Sequence, residues 1–175
     1  MADQDSTTPP PEGNSEDQST VPQAATIAQY IKDLSAESPS APQVFQWQTQ
    51  PALDVQFGIN GTKVADDVHE VVLKIDVSAK SDSGTHFIID LSYGGLFAFR
   101  NIPDEAMTPF LLVEAPRLLF PFARQIIAET VQNLGFPPVL LDPIDFASAY
   151  VAQMEAQQQA QGQPGGDGQP PVGHA

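Results

Sequence analysis

Near residue 101 the apolar residues of this chain change their spacing, from every second position to every third or fourth, and that switch restricts the fold more than any other feature. Leu53, Val55, Phe57 and Ile59 alternate with Asp54, Gln56, Gly58 and Asn60, the pattern of a strand buried on one face, and Asn60-Gly61 offers a turn after it. Val71, Leu73, Ile75 and Val77 form a second alternating run that ends at Ser81-Asp82-Ser83-Gly84, a cluster with strong turn chemistry. Phe87, Ile89, Leu91 and Tyr93 then share a face opposite His86, Ile88, Asp90 and Ser92. Gly94-Gly95 reads as a tight turn or bulge before a fourth strand at 96–99. Four strands in this order predict an antiparallel meander.

Pro103-Asp104-Glu105 opens the second half with a fixed φ and two acids suited to the positive end of a helix. From Ala115, the residues Leu118, Leu119, Phe122, Ile126, Ile127, Val131 and Leu134 recur at helical spacing, with Pro121 in the first turn or kinking it and Gly135 as a natural C-cap. Asp142-Pro143 caps a last helix through Ile144, Phe146, Ala149 and Val151. Strands followed by helices place the chain in the α+β class.

Both flanks differ from this core. Residues 1–25 hold Pro9, Pro10, Pro11 and Pro22 and five acids with almost nothing apolar, which predicts a disordered acidic extension. Residues 154–175 are rich in Gln, Gly and Pro and read as a second disordered tail, leaving 26–153 as the folded domain. With 22 acids against 7 bases the chain carries a net charge of −15, which repels nucleic acid and anionic membrane surfaces. No secretory signal and no bilayer-spanning apolar run is expected, so the reading is a cytoplasmic protein without direct membrane insertion.

Catalytic chemistry has no foothold in these residues. There is no Cys, which removes disulfides, thiolate metal sites and cysteine nucleophiles. His69, His86 and His174 lack ligand spacing and read as surface histidines, while Asp66, Asp67 and Glu70 are too few for a calcium cage. No cofactor and no metal is predicted. The unusual feature is surplus apolar material: Phe45 and Trp47 in a Pro-punctuated segment, and the stiffened loop from Phe136 through Val139, Leu140 and Leu141, either of which could line a groove. Opposite the expected core, Ile88 stands beside Asp90, with Asp33 and Glu37 about one helical turn apart in sequence, a candidate acidic docking surface.

The runs IKDLSAESPSAP (31–42), ADDVHEVVLKIDVSA (65–79), FIIDLSYGGLFAF (87–99) and 115–153, in that order, resemble the SecB family of bacterial protein-export chaperones. The resemblance implies a non-enzymatic homotetramer, a dimer of dimers, that holds newly made precursor proteins unfolded and delivers them to the SecA ATPase. It implies SecA contacts at Asp33, Glu37, Ile88 and Asp90, assembly contacts at Phe87, Ile89, Leu91 and Tyr93, and client grooves around Phe45, Trp47, the apolar strand faces, and Phe136, Val139, Leu140 and Leu141. The alternative weighed against it is an acidic oligomeric adaptor that binds a single folded partner.

Overall fold

The computed structural model describes residues 21–161. Four antiparallel strands form one sheet: β1 (Gln23–Glu37), β2 (Ala52–Ala65), β3 (Val68–Ser81) and β4 (Gly84–Arg100). The helices follow as α1 (Asp104–Pro109), a π-helical turn (Phe110–Glu114), α2 (Ala115–Asn133) and α3 (Phe146–Gln161). The α+β class and the four-stranded antiparallel sheet are as predicted. The strand order β1-β4-β3-β2 restricts the meander to β2, β3 and β4, because the chain crosses from β1 to the far edge before turning back.

Three local readings change. The fourth strand is β1, which begins within the segment assigned to the disordered extension, and β4 runs unbroken through Gly94-Gly95. Those glycines serve packing instead of a turn: a Cβ on Gly95 would lie 2.8 Å from the Leu119 side chain, and one on Gly94 would lie 2.9 Å from the Tyr30 ring. Asn60-Gly61 continues inside β2, and the reversal comes at Asp67, whose φ of 58° supplies the left-handed residue the hairpin requires. The turn at Ser81 to Gly84 falls where it was expected. At the other end α3 extends to Gln161, through residues assigned to the second tail; the remainders of both flanks lie outside the described residues.

The core lies between the inner face of β3 and β4 and one stripe of α2. Val71, Leu73, Ile75, Ile89, Leu91 and Phe97 are fully buried against Leu119, Ala123, Ile127 and Val131, which recur every four residues along α2. Each such aliphatic side chain contributes about 1.5–3 kcal/mol by leaving water. The helical run Asp104–Asn133 is long and apolar enough in composition to cross a bilayer, yet this stripe packs on the sheet. Helix α2 packs mainly on β3 and β4, so on β2 Ile59 packs against the core while Leu53, Val55 and Phe57 stay between 38% and 48% exposed, and the expectation of a buried face fails for those three residues.

Candidate functional site

Two surfaces lie on opposite faces of the sheet, and each starts from local chain geometry. On the inner side, α2 ends in a Schellman turn: Gly135 N–H donates to Gln132 O at 2.9 Å and Phe136 N–H to Val131 O at 3.2 Å, with Gly135 at φ 91°. This reversal delivers Phe136 into an aromatic cluster. Its ring centroid lies 5.4 Å from Phe45, 5.2 Å from Phe87 and 6.3 Å from His86, and Trp47 meets His86 edge-on at 5.0 Å. Phe45 remains exposed. His86 is a correction: it is only 5% exposed, because the register shift between Ala79 and Lys80 leaves it outside the ladder and Trp47 covers it. Its Nε2 lies 2.9 Å from Ser81 Oγ, a structural contact.

Beside the cluster, Leu53, Val55 and Phe57 of β2 face Val139, Leu140, Leu141 and Ile144 across a groove of about 490 Å³. Leu140 is 67% exposed, whereas Leu141 is buried in the floor. The last helix holds one end of this segment, since Asp145 caps α3 by accepting from Ser148 N–H at 3.0 Å and Ser148 Oγ at 2.8 Å. Those bonds keep the Asp145 carboxyl below its usual range. The cap had been assigned to Asp142, three residues too early. Phe57 meets Phe146 of α3 edge-on at 5.8 Å, which anchors the open strand to the helix.

On the outer face, cross-strand register brings the four proposed docking residues together. Glu37 pairs with Ile88, Ser35 with Asp90 and Asp33 with Ser92, so all four share one face of β1 and β4. Ile88 is 41% exposed, and Asp33 and Glu37 are exposed. From β3, Lys74 Nζ reaches Asp90 Oδ2 at 3.1 Å and Asp76 Oδ1 at 3.5 Å, and these carboxylates raise the Lys74 pKa, the Asp90 hydrogen bond most. Further along, Tyr30 donates to Glu70 Oε1 at 2.5 Å and Lys32 to Glu70 Oε2 at 2.7 Å. Glu70 is held below the usual carboxylate range by Lys32 first and Tyr30 second, and Tyr30 is pushed up to about 12 by its bond to Glu70.

Phe87, Ile89, Leu91 and Tyr93 occupy the other parity of β4 and are buried inside the single chain, beside α2 in the core. They offer a second subunit no surface of their own. The resemblance implies client grooves along apolar strand faces without naming their residues, and the alternation of β2 reads as a core face; Leu53, Val55 and Phe57 are the strand residues that stay open to the groove. Among the described residues no group of His, Cys, Asp and Glu is arranged to hold a metal ion.

Comparison with known proteins agrees with this architecture. The family model for the preprotein translocase subunit SecB matches residues 17–158. The protein-export protein SecB of Sphingopyxis alaskensis is 52% identical over the full length of both chains, and that of Zymomonas mobilis is 56% identical over 78% of this chain and 84% of its own. A SecB-like chaperone from Mycobacterium tuberculosis, solved in complex with an antitoxin peptide, shares the fold with a TM-score of 0.58 at 16% identity, covering 69% of this chain and 90% of its own. Order of motifs, strand-then-helix architecture and identity along the whole chain converge: this protein belongs to the SecB family.

Proposed function

We propose that this protein is a cytoplasmic protein-export chaperone that holds precursor proteins unfolded and delivers them to the SecA ATPase. One observation carries the reading: a single sheet separates an apolar surface from an acidic one. Leu53, Val55 and Phe57 pair with Ala79, Val77 and Ile75 on the inner parity, whereas Asp90 pairs with Asp76 on the outer. Extended client segments lay alternate side chains into the groove at Leu140 and onto the cluster at Phe45, Trp47 and Phe136, driven by apolar burial with little sequence selectivity. A basic surface of SecA docks on Asp33, Glu37, Ile88 and Asp90 without competing for those grooves. The names of the close relatives, all protein-export proteins, support this assignment, and the family is one of chaperones, not of enzymes.

The assembly is a homotetramer, a dimer of dimers. Leu118 and Phe122 on the outer side of α2 are about half exposed, and β1 leaves one edge unpaired; these are the surfaces a second copy covers. Phe87, Ile89, Leu91 and Tyr93 contribute by fixing α2 on the sheet. The experiment is retention of one precursor in two states by the full-length chain. The unfolded, reduced precursor forms a complex and refolds more slowly, while its stably folded form does not bind. Equal binding of both states would overturn the reading.

A further inference from the structure

Beside its core stripe, with which it shares the buried Phe120, helix α2 carries a further line of side chains distinct from the exposed Leu118 and Phe122 side. Arg117, Phe120, Pro121 and Arg124 follow one another at i, i+3, i+4 and i+7, so they form a single stripe along the helix. This stripe borders a groove of about 590 Å³, closed on the other side by Ile144, Asp145 and Phe146. Phe120 and Phe146 stand edge-to-face at 6.1 Å and make its floor apolar. The groove is therefore an apolar trough with two guanidinium groups along one rim, in a chain that has only 7 bases against 22 acids.

Those guanidinium groups are poorly matched within the chain. Arg124 is half-buried, and among the described residues no carboxylate lies within 4.0 Å of it; Arg117 reaches only Glu114, at 3.9 Å, with its side chain 74% exposed. Asp145 also borders the groove and the Arg117 charge helps to hold its carboxyl below the usual range, but no ion pair within 4.0 Å joins them and both Asp145 oxygens already accept hydrogen bonds from Ser148. A net charge of −15 repels acidic polypeptide as a whole, so a segment carrying Asp or Glu beside apolar side chains meets an unfavourable field everywhere except where local cations offset it.

We propose that the groove between α2 and the 143–147 segment is a client subsite for extended polypeptide bearing carboxylates next to apolar residues, with Arg117 and Arg124 as its specificity-determining side chains. The inference rests on the client-holding reading and extends it: the apolar grooves supply affinity, and this subsite admits the acidic segments that the rest of the surface repels. The occupant is a client segment and not the chain's own acidic residues 1–20, because those residues contain five carboxylates but almost no apolar side chains to fill the floor.

The test uses the full-length chain and three labelled peptides that share the same Phe and Leu positions and differ only in Glu, Gln or Lys at the flanks. The double variant Arg117→Gln/Arg124→Gln should weaken the Glu peptide about fivefold at low salt, the worth of two exposed ion pairs, and leave the Gln peptide unchanged. The difference should shrink as salt rises, and Arg124→Lys should keep most of the affinity. Unchanged binding of the Glu peptide would overturn the proposal, as would equal loss of the Gln peptide. Neutralising Asp3, Asp5, Glu12, Glu16 and Asp17 should not alter Glu-peptide affinity; a rise that depends on both arginines would make the extension the occupant and overturn it. A fall in assembly mass on the double substitution would assign the arginines to contacts between copies and overturn it too. Failure of the wild-type chain to bind any of the three peptides would remove the client-holding reading together with the subsite, whereas Gln-peptide binding without any arginine effect removes the subsite alone.

Discussion

Tyr30 of β1 lies across Gly94 of β4 and donates its hydroxyl to Glu70 of β3, so one side chain ties three strands together on the outer face of the sheet. The crossing is possible because Gly94 has no Cβ: one built there would stand 2.9 Å from the Tyr30 ring. On the opposite face Gly95 does the same for Leu119 and Phe97.

The two glycines should respond differently to alanine. At Gly95 the obstructing atoms belong to Leu119 and Phe97, both fully buried, so the clash cannot relax and Gly95→Ala should cost about 1–3 kcal/mol. At Gly94 the obstacle is the ring of a partly exposed side chain that can tilt away, and the strand gains from replacing glycine. Gly94→Ala should therefore cost less than Gly95→Ala, which paired urea titrations measure directly.

The same tyrosine predicts behaviour at high pH. Its pKa is about 12 in the folded chain against 10.0 for a free tyrosine, so between those values the unfolded state loses a proton that the folded state keeps. Stability from this contact is present below pH 10 and falls as pH rises toward 12. Glu70 acts at the other end: its depressed pKa supports the fold above about 4.5 and that support is lost on acidification. In thermal melts Tyr30→Phe should flatten the decline between pH 10 and 12, and Glu70→Gln should flatten the acid limb.

The sheet and the helical half were legible because burial on one face imposes a period on β3, β4 and α2. β1 was not, since most of it is exposed on both faces and Ile27, Ile31 and Leu34 are solvent-facing, which leaves no alternation to read. β2 was legible as a strand but mistaken for core, because a period of two cannot say whether the apolar side is covered by the helix or left open as a groove. Asp33, Glu37, Ile88 and Asp90 were traceable through the family resemblance, yet their adjacency needed the β1–β4 register. His86 was misjudged because its burial comes from Trp47, distant in sequence.

Client binding should be separable from stability at Leu140. This side chain is 67% exposed, so Leu140→Asp should change folding stability by no more than about 0.5 kcal/mol. It also places a charge at the mouth of the apolar groove. Retention of an unfolded precursor should drop several-fold, with the melting temperature nearly unchanged, in a refolding-delay assay run beside thermal melts.

The separation of two surfaces by one sheet is tested most directly by reversing charge on its outer face. In Glu37→Lys/Asp90→Lys, affinity for SecA at low salt should fall about tenfold or more, while retention of an unfolded precursor stays at the wild-type level. Ile88→Ala should also weaken SecA, with little salt dependence, because it removes contact area and no charge. If charge reversal left SecA affinity unchanged at every ionic strength, or abolished precursor retention together with it, the two faces would not be the independent docking and holding surfaces described.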